Sequence, residues 1–144
     1  MSPLVALLFV IGLVVVASAA GVVVSRRSGR IRQVASGSLD TSGLGIRLGS
    51  GATLVLFSTE FCTRCPSMKR MLHSIADTAD DLAIAEVDLT HRAHVASDLH
   101  ILQTPTTFVL DGAGHVRARF GGTVARDAVI AELDQITGAS HALA

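Results

Sequence analysis

The chain has 144 residues, 49% of them hydrophobic, with 12 basic and 12 acidic side chains and a formal net charge of zero. This composition allows one domain of ordinary size plus an appendage and excludes an intrinsically disordered chain. Residues 51–144 hold seven Lys or Arg against eleven Asp or Glu, and the chain has no Trp or Tyr; with neither a basic stripe nor stacking aromatics, no nucleic-acid partner is expected.

In chain order, the run from Pro3 to Val24 carries no charged residue. As a helix, 22 such residues extend about 33 Å, enough to cross a bilayer core, so a transmembrane helix is expected over residues 3–24. A cleaved signal peptide with its site at Ala17-Ser18-Ala19 is the alternative. It is disfavoured because no Lys or Arg precedes the run and because the run continues to Val24. Arg26, Arg27, Arg30 and Arg32 follow at once. Positive charge tends to stay on the cytoplasmic side, so the expectation is a single-pass protein of the cell membrane with its globular part in the cytoplasm; the alternative is an extracytoplasmic domain. Residues 25–50, rich in Arg, Ser and Gly, are expected to form a flexible tether ending in a short strand near Ile46-Arg47-Leu48.

The globular part is expected over residues 51–138, with a tail at 139–144. Thr53 to Phe57 is a short apolar run, the mark of a buried strand. Met68, Met71, Leu72, Ile75, Ala76 and Ala79 trace one face of an amphipathic helix. Leu82 to Val87 is a second strand, and Thr90 has the character of an N-cap for a short helix over His91 to Leu99. Thr107 to Leu110 is a third strand, Asp111-Gly112-Ala113-Gly114 a turn, and Val116 to Phe120 a fourth strand that alternates apolar and basic residues. Thr123 is expected to cap a last helix whose inner face holds Ala128, Val129, Leu133 and Ile136, stopped by Gly138. The order β-α-β-α-β-β-α predicts an α/β domain with a central mixed sheet flanked by helices. The strands joined by helices should be parallel and the last pair an antiparallel hairpin.

Two cysteines, Cys62 and Cys65, stand three apart where the first strand gives way to the first long helix. At that spacing on a helix the side chains are neighbours, within reach of a disulfide. Unpaired N–H groups at a helix N-terminus stabilise a thiolate, and Arg64 adds a positive charge beside it. Cys62 is therefore assigned as the attacking nucleophile and Cys65 as the resolving thiol. A structural zinc site would need further ligands, and no second cysteine pair exists. His91 and His94 have the spacing of a metal pair, yet two ligands fall short of a site and they read as surface histidines. No metal and no separate cofactor are expected.

These residues resemble the thioredoxin family: Thr53 to Phe57, then Phe61-Cys62-Thr63-Arg64-Cys65, then Val87-Asp88, then Ile101-Leu102-Gln103-Thr104-Pro105-Thr106, with the hairpin Phe108 to Phe120 and Gly121 or Gly122. The resemblance covers about residues 50–137 and looks like that of a membrane-anchored bacterial member. It implies a thioredoxin-like fold and a cis Pro105 facing the cysteines. It also implies that the backbone of Thr104 pairs with bound substrate as an added strand, and that Phe61 belongs to a hydrophobic collar. The family's buried acid, six residues before the first cysteine, is Leu56 here, which leaves Glu60, Asp88 or water for proton transfer. The helix-kinking proline five residues past the second cysteine is Arg70, and Pro66 follows Cys65 directly.

The function implied is reduction of protein disulfides. The partners would be protein thiols or disulfides, with a thioredoxin reductase or a membrane redox partner as electron source. Two alternatives stand beside it: an extracytoplasmic oxidant or electron carrier, and a non-catalytic module that docks a membrane partner.

Overall fold

The computed structural model describes residues 3–27 and 37–138. The chain divides into two units, residues 1–30 and residues 31–144. The first contains helix α1, Pro3–Arg27. Among the described residues no helix is long and apolar enough to cross a membrane, the described side chains of α1 being Val5 and those of residues 9–20. The described helix thus does not establish the transmembrane span expected over residues 3–24. The part of the expected tether at 28–36 and the tail at 139–144 lie outside the described residues.

The second unit contains β1 (Ala52–Ser58), α2 (Cys65–Ala76), β2 (Leu82–Asp88), α3 (Ala93–Asp98), β3 (Thr106–Asp111), β4 (Val116–Gly121) and α4 (Arg126–Thr137). The four strands form one mixed sheet in the order β2-β1-β3-β4. Strand β1 is parallel to β2 and antiparallel to β3, with Leu56 opposite both Glu86 and Thr107. β3 and β4 form the expected antiparallel hairpin.

The expectation of parallel strands holds for β1 and β2 and fails for β3. Helix α3 is short: its six residues return only about 9 Å of the roughly 23 Å that a seven-residue strand covers. Strand β3 starts at the end of the sheet where β2 stopped and runs back. This reversal brings Pro105 to the same end of the sheet as the cysteines.

Alternation along the strands divides the core in two. On one face Leu54 and Leu56 pack with Met68, Leu72 and Ile75 of α2 and with Val129 and Leu133 of α4. On the other, Val55 and Phe57 pack with Val87, Phe108 and Leu110. Phe57 and Phe108 meet edge to face there, with ring centroids 4.9 Å apart.

On that second face the described part of the expected tether, residues 37–50, is packed against the sheet. Leu39 and Ile46 are buried in this cluster, and Ser38 bridges to His115. A turn closed by Ile46 N–H on Thr41 O, at 2.8 Å, folds the segment back. No strand forms at residues 46–48; the apolar residues of this Ser- and Gly-rich stretch are too sparse to announce the packing, which the sheet face imposes. Two expected caps are also absent: the N-cap residues of α3 and α4 are Arg92 and Ala125, neither with a side-chain cap bond. Gly138 does end α4 in the left-handed conformation, φ 62°.

Candidate active site

The cysteine loop is the connection from β1 to α2. Helix α2 starts at Cys65, with Arg64 in the N-cap position and Pro66 in its first turn. Pro66 suits that place, since its fixed φ is helical and its missing N–H would have no intrahelical partner. Cys62 thus precedes the helix instead of forming its tip. Its carbonyl accepts the N–H of Cys65 at 3.3 Å, and its own N–H donates to Thr59 O at 3.1 Å. This tight turn sets the two Cα atoms 5.4 Å apart, and the sulfurs are joined as a disulfide. The two thiols differ in access: Cys62 is partly exposed, while Cys65 is buried. An incoming sulfur therefore meets Cys62 first.

A shallow cleft of about 310 Å³ opens beside the pair, lined by Thr59, Phe61, Cys62, Thr63, Arg64 and Thr104. The expected site residues Phe61, Arg64 and Thr104 are thus brought to Cys62. The bond between Thr104 and Pro105 is cis, as the resemblance implied. The segment is anchored behind by Gly122 N–H on Pro105 O, at 2.7 Å. Gly122 adopts φ +79°, a left-handed conformation that glycine takes without a Cβ penalty. Phe61 is 82% exposed and Leu102, two residues before Thr104, is 94% exposed.

Glu60 and Asp88 are not among the residues lining the cleft. Asp88 accepts hydrogen bonds from Thr90 Oγ1 at 2.5 Å and Thr90 N–H at 2.8 Å. These bonds hold its carboxyl below the usual carboxylate range. Glu60 is exposed, and its backbone N–H donates to Thr90 Oγ1. Leu56, where the resembling family has an acid, is fully buried in the apolar core.

The polar groups across from Leu56 are Thr107, also fully buried, and Glu86. Glu86 accepts from Ser58 Oγ at 3.0 Å and pairs with Lys69 Nζ at 2.5 Å. Sequence reasoning passed over Thr59, Ser58 and Glu86. Thr59 carries a legible signal, adjacency to the motif, whereas Glu86, the partner of Ser58, comes from a different strand and Lys69, the partner of Glu86, from α2. His91 and His94 are exposed, and among the described residues no group of three His, Cys, Asp or Glu could hold a metal ion. The redox-active group is the disulfide, part of the chain itself.

Among curated proteins no sequence matches this one. Solved structures share its fold. A mutant thioredoxin from Halobacterium salinarum NRC-1 is 20% identical with a TM-score of 0.54, over 61% of this chain and 76% of that one. Thioredoxin O2 from Arabidopsis thaliana, in the oxidized state, is 18% identical with a TM-score of 0.52, over 61% and 76%. The thioredoxin of Malassezia sympodialis is 18% identical with a TM-score of 0.55, over 76% and 92%. The family model for thioredoxin matches residues 46–135, which include the cysteine loop, the cis proline and all four strands, and the chain therefore belongs to the thioredoxin family.

Proposed function

We propose that this protein is a thiol–disulfide oxidoreductase that reduces protein disulfides. The observation that carries the reading is the asymmetry of the pair: a partly exposed Cys62 opening on a cleft, bonded to a buried Cys65. In the reduced form the Cys62 thiolate attacks one sulfur of the substrate disulfide, and the other leaves as a thiolate that takes a proton from water. Cys65, deprotonated, then attacks Cys62 Sγ. The second substrate thiol departs, and two electrons have passed from the pair to the substrate. The exposed Phe61 and Leu102 offer apolar contact to the substrate chain, and the backbone of Thr104 offers strand-like hydrogen bonds. Electrons return to the pair from a thioredoxin reductase or a membrane redox partner.

Membrane attachment is part of the same proposal. Its support is the 22-residue run Pro3–Val24 without a charged side chain, with four arginines following by Arg32. That charge order favours a cytoplasmic redox domain, where thiols are kept reduced. A reporter fused at the C-terminus reads the orientation, and an external C-terminus removes the cytosolic reductase.

The activity test is dithiothreitol-driven reduction of a protein disulfide by the full chain. Wild type is expected to turn over. Cys62→Ser is expected to lose activity by at least about a hundredfold, with the fold intact. A wild type that does not turn over, with function retained in Cys62→Ser, would leave a non-catalytic docking module. The reduction potential separates reductant from oxidant, near about −270 mV for the first and about −120 mV for the second.

A further inference from the structure

The Cys62 loop has little apolar burial to hold it. Glu60 and Phe61 are exposed and Cys62 is only partly covered, so hydrogen bonds decide where the loop sits. Two threonines from other segments flank it. On one side Thr59 Oγ1 meets Thr104 Oγ1 at 3.4 Å. On the other, Glu60 N–H donates to Thr90 Oγ1 at 3.0 Å. Between these contacts, Cys62 N–H closes onto Thr59 O.

Thr90 does not cap helix α3, whose N-cap position is Arg92. Its hydroxyl proton is committed to Asp88 Oδ1, and its backbone N–H reaches the same oxygen. A hydroxyl has one proton and two lone pairs. With the proton fixed on a carboxylate, the oxygen is left facing outward as an acceptor, and its bond to the Glu60 amide is strengthened by the charge behind it. We infer that Thr90 is a positioning residue for Cys62: its hydroxyl couples the Asp88 carboxylate at the end of β2 to the loop that delivers the attacking thiol to the cleft. Asp88 thus serves as the buttress of that loop.

The inference rests on Cys62 being the attacking thiol, so its test reads that thiol directly and does not depend on turnover of any protein substrate. The full chain is reduced, and the rate is followed at which Cys62 attacks a small aromatic disulfide: one aromatic thiolate leaves as the mixed disulfide forms on Cys62, and the second leaves when Cys65 closes the Cys62–Cys65 bond. Thr90→Val keeps the shape and removes the hydroxyl; Thr90→Ser keeps it.

Thr90→Val is expected to be about 3- to 10-fold slower, the scale of one hydrogen bond, and Thr90→Ser to lie within about twofold of wild type. Hydrogen exchange of the Glu60 amide gives the second readout: protected in wild type and in Thr90→Ser, exchanging freely in Thr90→Val. An unchanged rate in a folded Thr90→Val overturns the inference, as does a Thr90→Ser equally slowed. Should Thr90→Val fail to fold, an unprotected Glu60 amide in wild type overturns it on its own. Failure of the wild type to reduce protein disulfides would instead strike the proposed function and leave these outcomes readable.

Discussion

Helices α2 and α3 both link strands of one sheet, and they do opposite work. Helix α2 has 12 residues and buries Cys65, Met68, Leu72, Ile75 and Ala76; it is long enough to carry the chain back so that β2 runs parallel to β1. Helix α3 has six residues and buries none; it carries the chain back only part of the way, and β3 starts where β2 ended. The long connection provides much of the core. The short one gathers the end of β1, the end of β2 and the start of β3 at one end of the sheet, where the cysteine loop, Thr90 and Thr104–Pro105 meet. The long connection thus carries both core residues and the cysteine pair, while the short one brings Thr90 and Thr104–Pro105 beside that pair.

The comparison predicts a gradient of mutational effects. Leu72→Ala empties a fully buried site of α2 and is expected to cost about 2–5 kcal/mol in urea unfolding. Val95→Ala, on the half-buried side of α3, is expected to cost about 1 kcal/mol or less by the same measurement. Equal losses would erase the distinction between the two helices. Smaller again is Lys69→Met. It removes an ion pair whose side chains are 48% and 35% exposed, and the expected loss of stability is under about 1 kcal/mol, shrinking further in high salt.

The smallest expected effect depends on pH. Glu132 of α4 is buried beside Val129 and Leu133, and desolvation pushes its carboxyl above the ordinary value of 4.5, against an opposing pull from Arg117. A carboxyl raised in the folded state binds its proton more tightly there than in the unfolded chain. Its contribution to stability is therefore present in acid and lost as pH rises through the raised value. Glu132→Gln is expected to melt at or above the wild-type temperature at pH 7 and to lose that advantage below about pH 4, near the glutamate value in unfolded chains. A variant less stable than wild type at pH 7 contradicts this reading.

Much of the domain was legible in the sequence because its signals are local. The apolar runs at residues 53–57 and 82–87, the helical stripe from Met68 to Ala76 and the cysteine spacing each declare themselves within one element. The errors lie where distant segments decide. Thr90 has the composition of a cap, and only the fold places the Glu60 amide against its oxygen. Residues 37–50 have the composition of a linker, and only the far face of the sheet buries Leu39 and Ile46. The antiparallel direction of β3 is set by its pairing with β1, a contact between distant segments. The cis state of Pro105 came from family resemblance, since nothing in its neighbours dictates it.

The central claim is that the two thiols have separate roles set by their exposure. It is tested most directly by reducing Cys65→Ser and Cys62→Ser variants of the full chain, mixing each with a disulfide-bonded protein, and identifying the trapped adducts by mass spectrometry. The account predicts a stable mixed disulfide on Cys62 in Cys65→Ser and little or none on the buried Cys65 in Cys62→Ser. Adducts forming equally fast on both cysteines, or on neither, would contradict it.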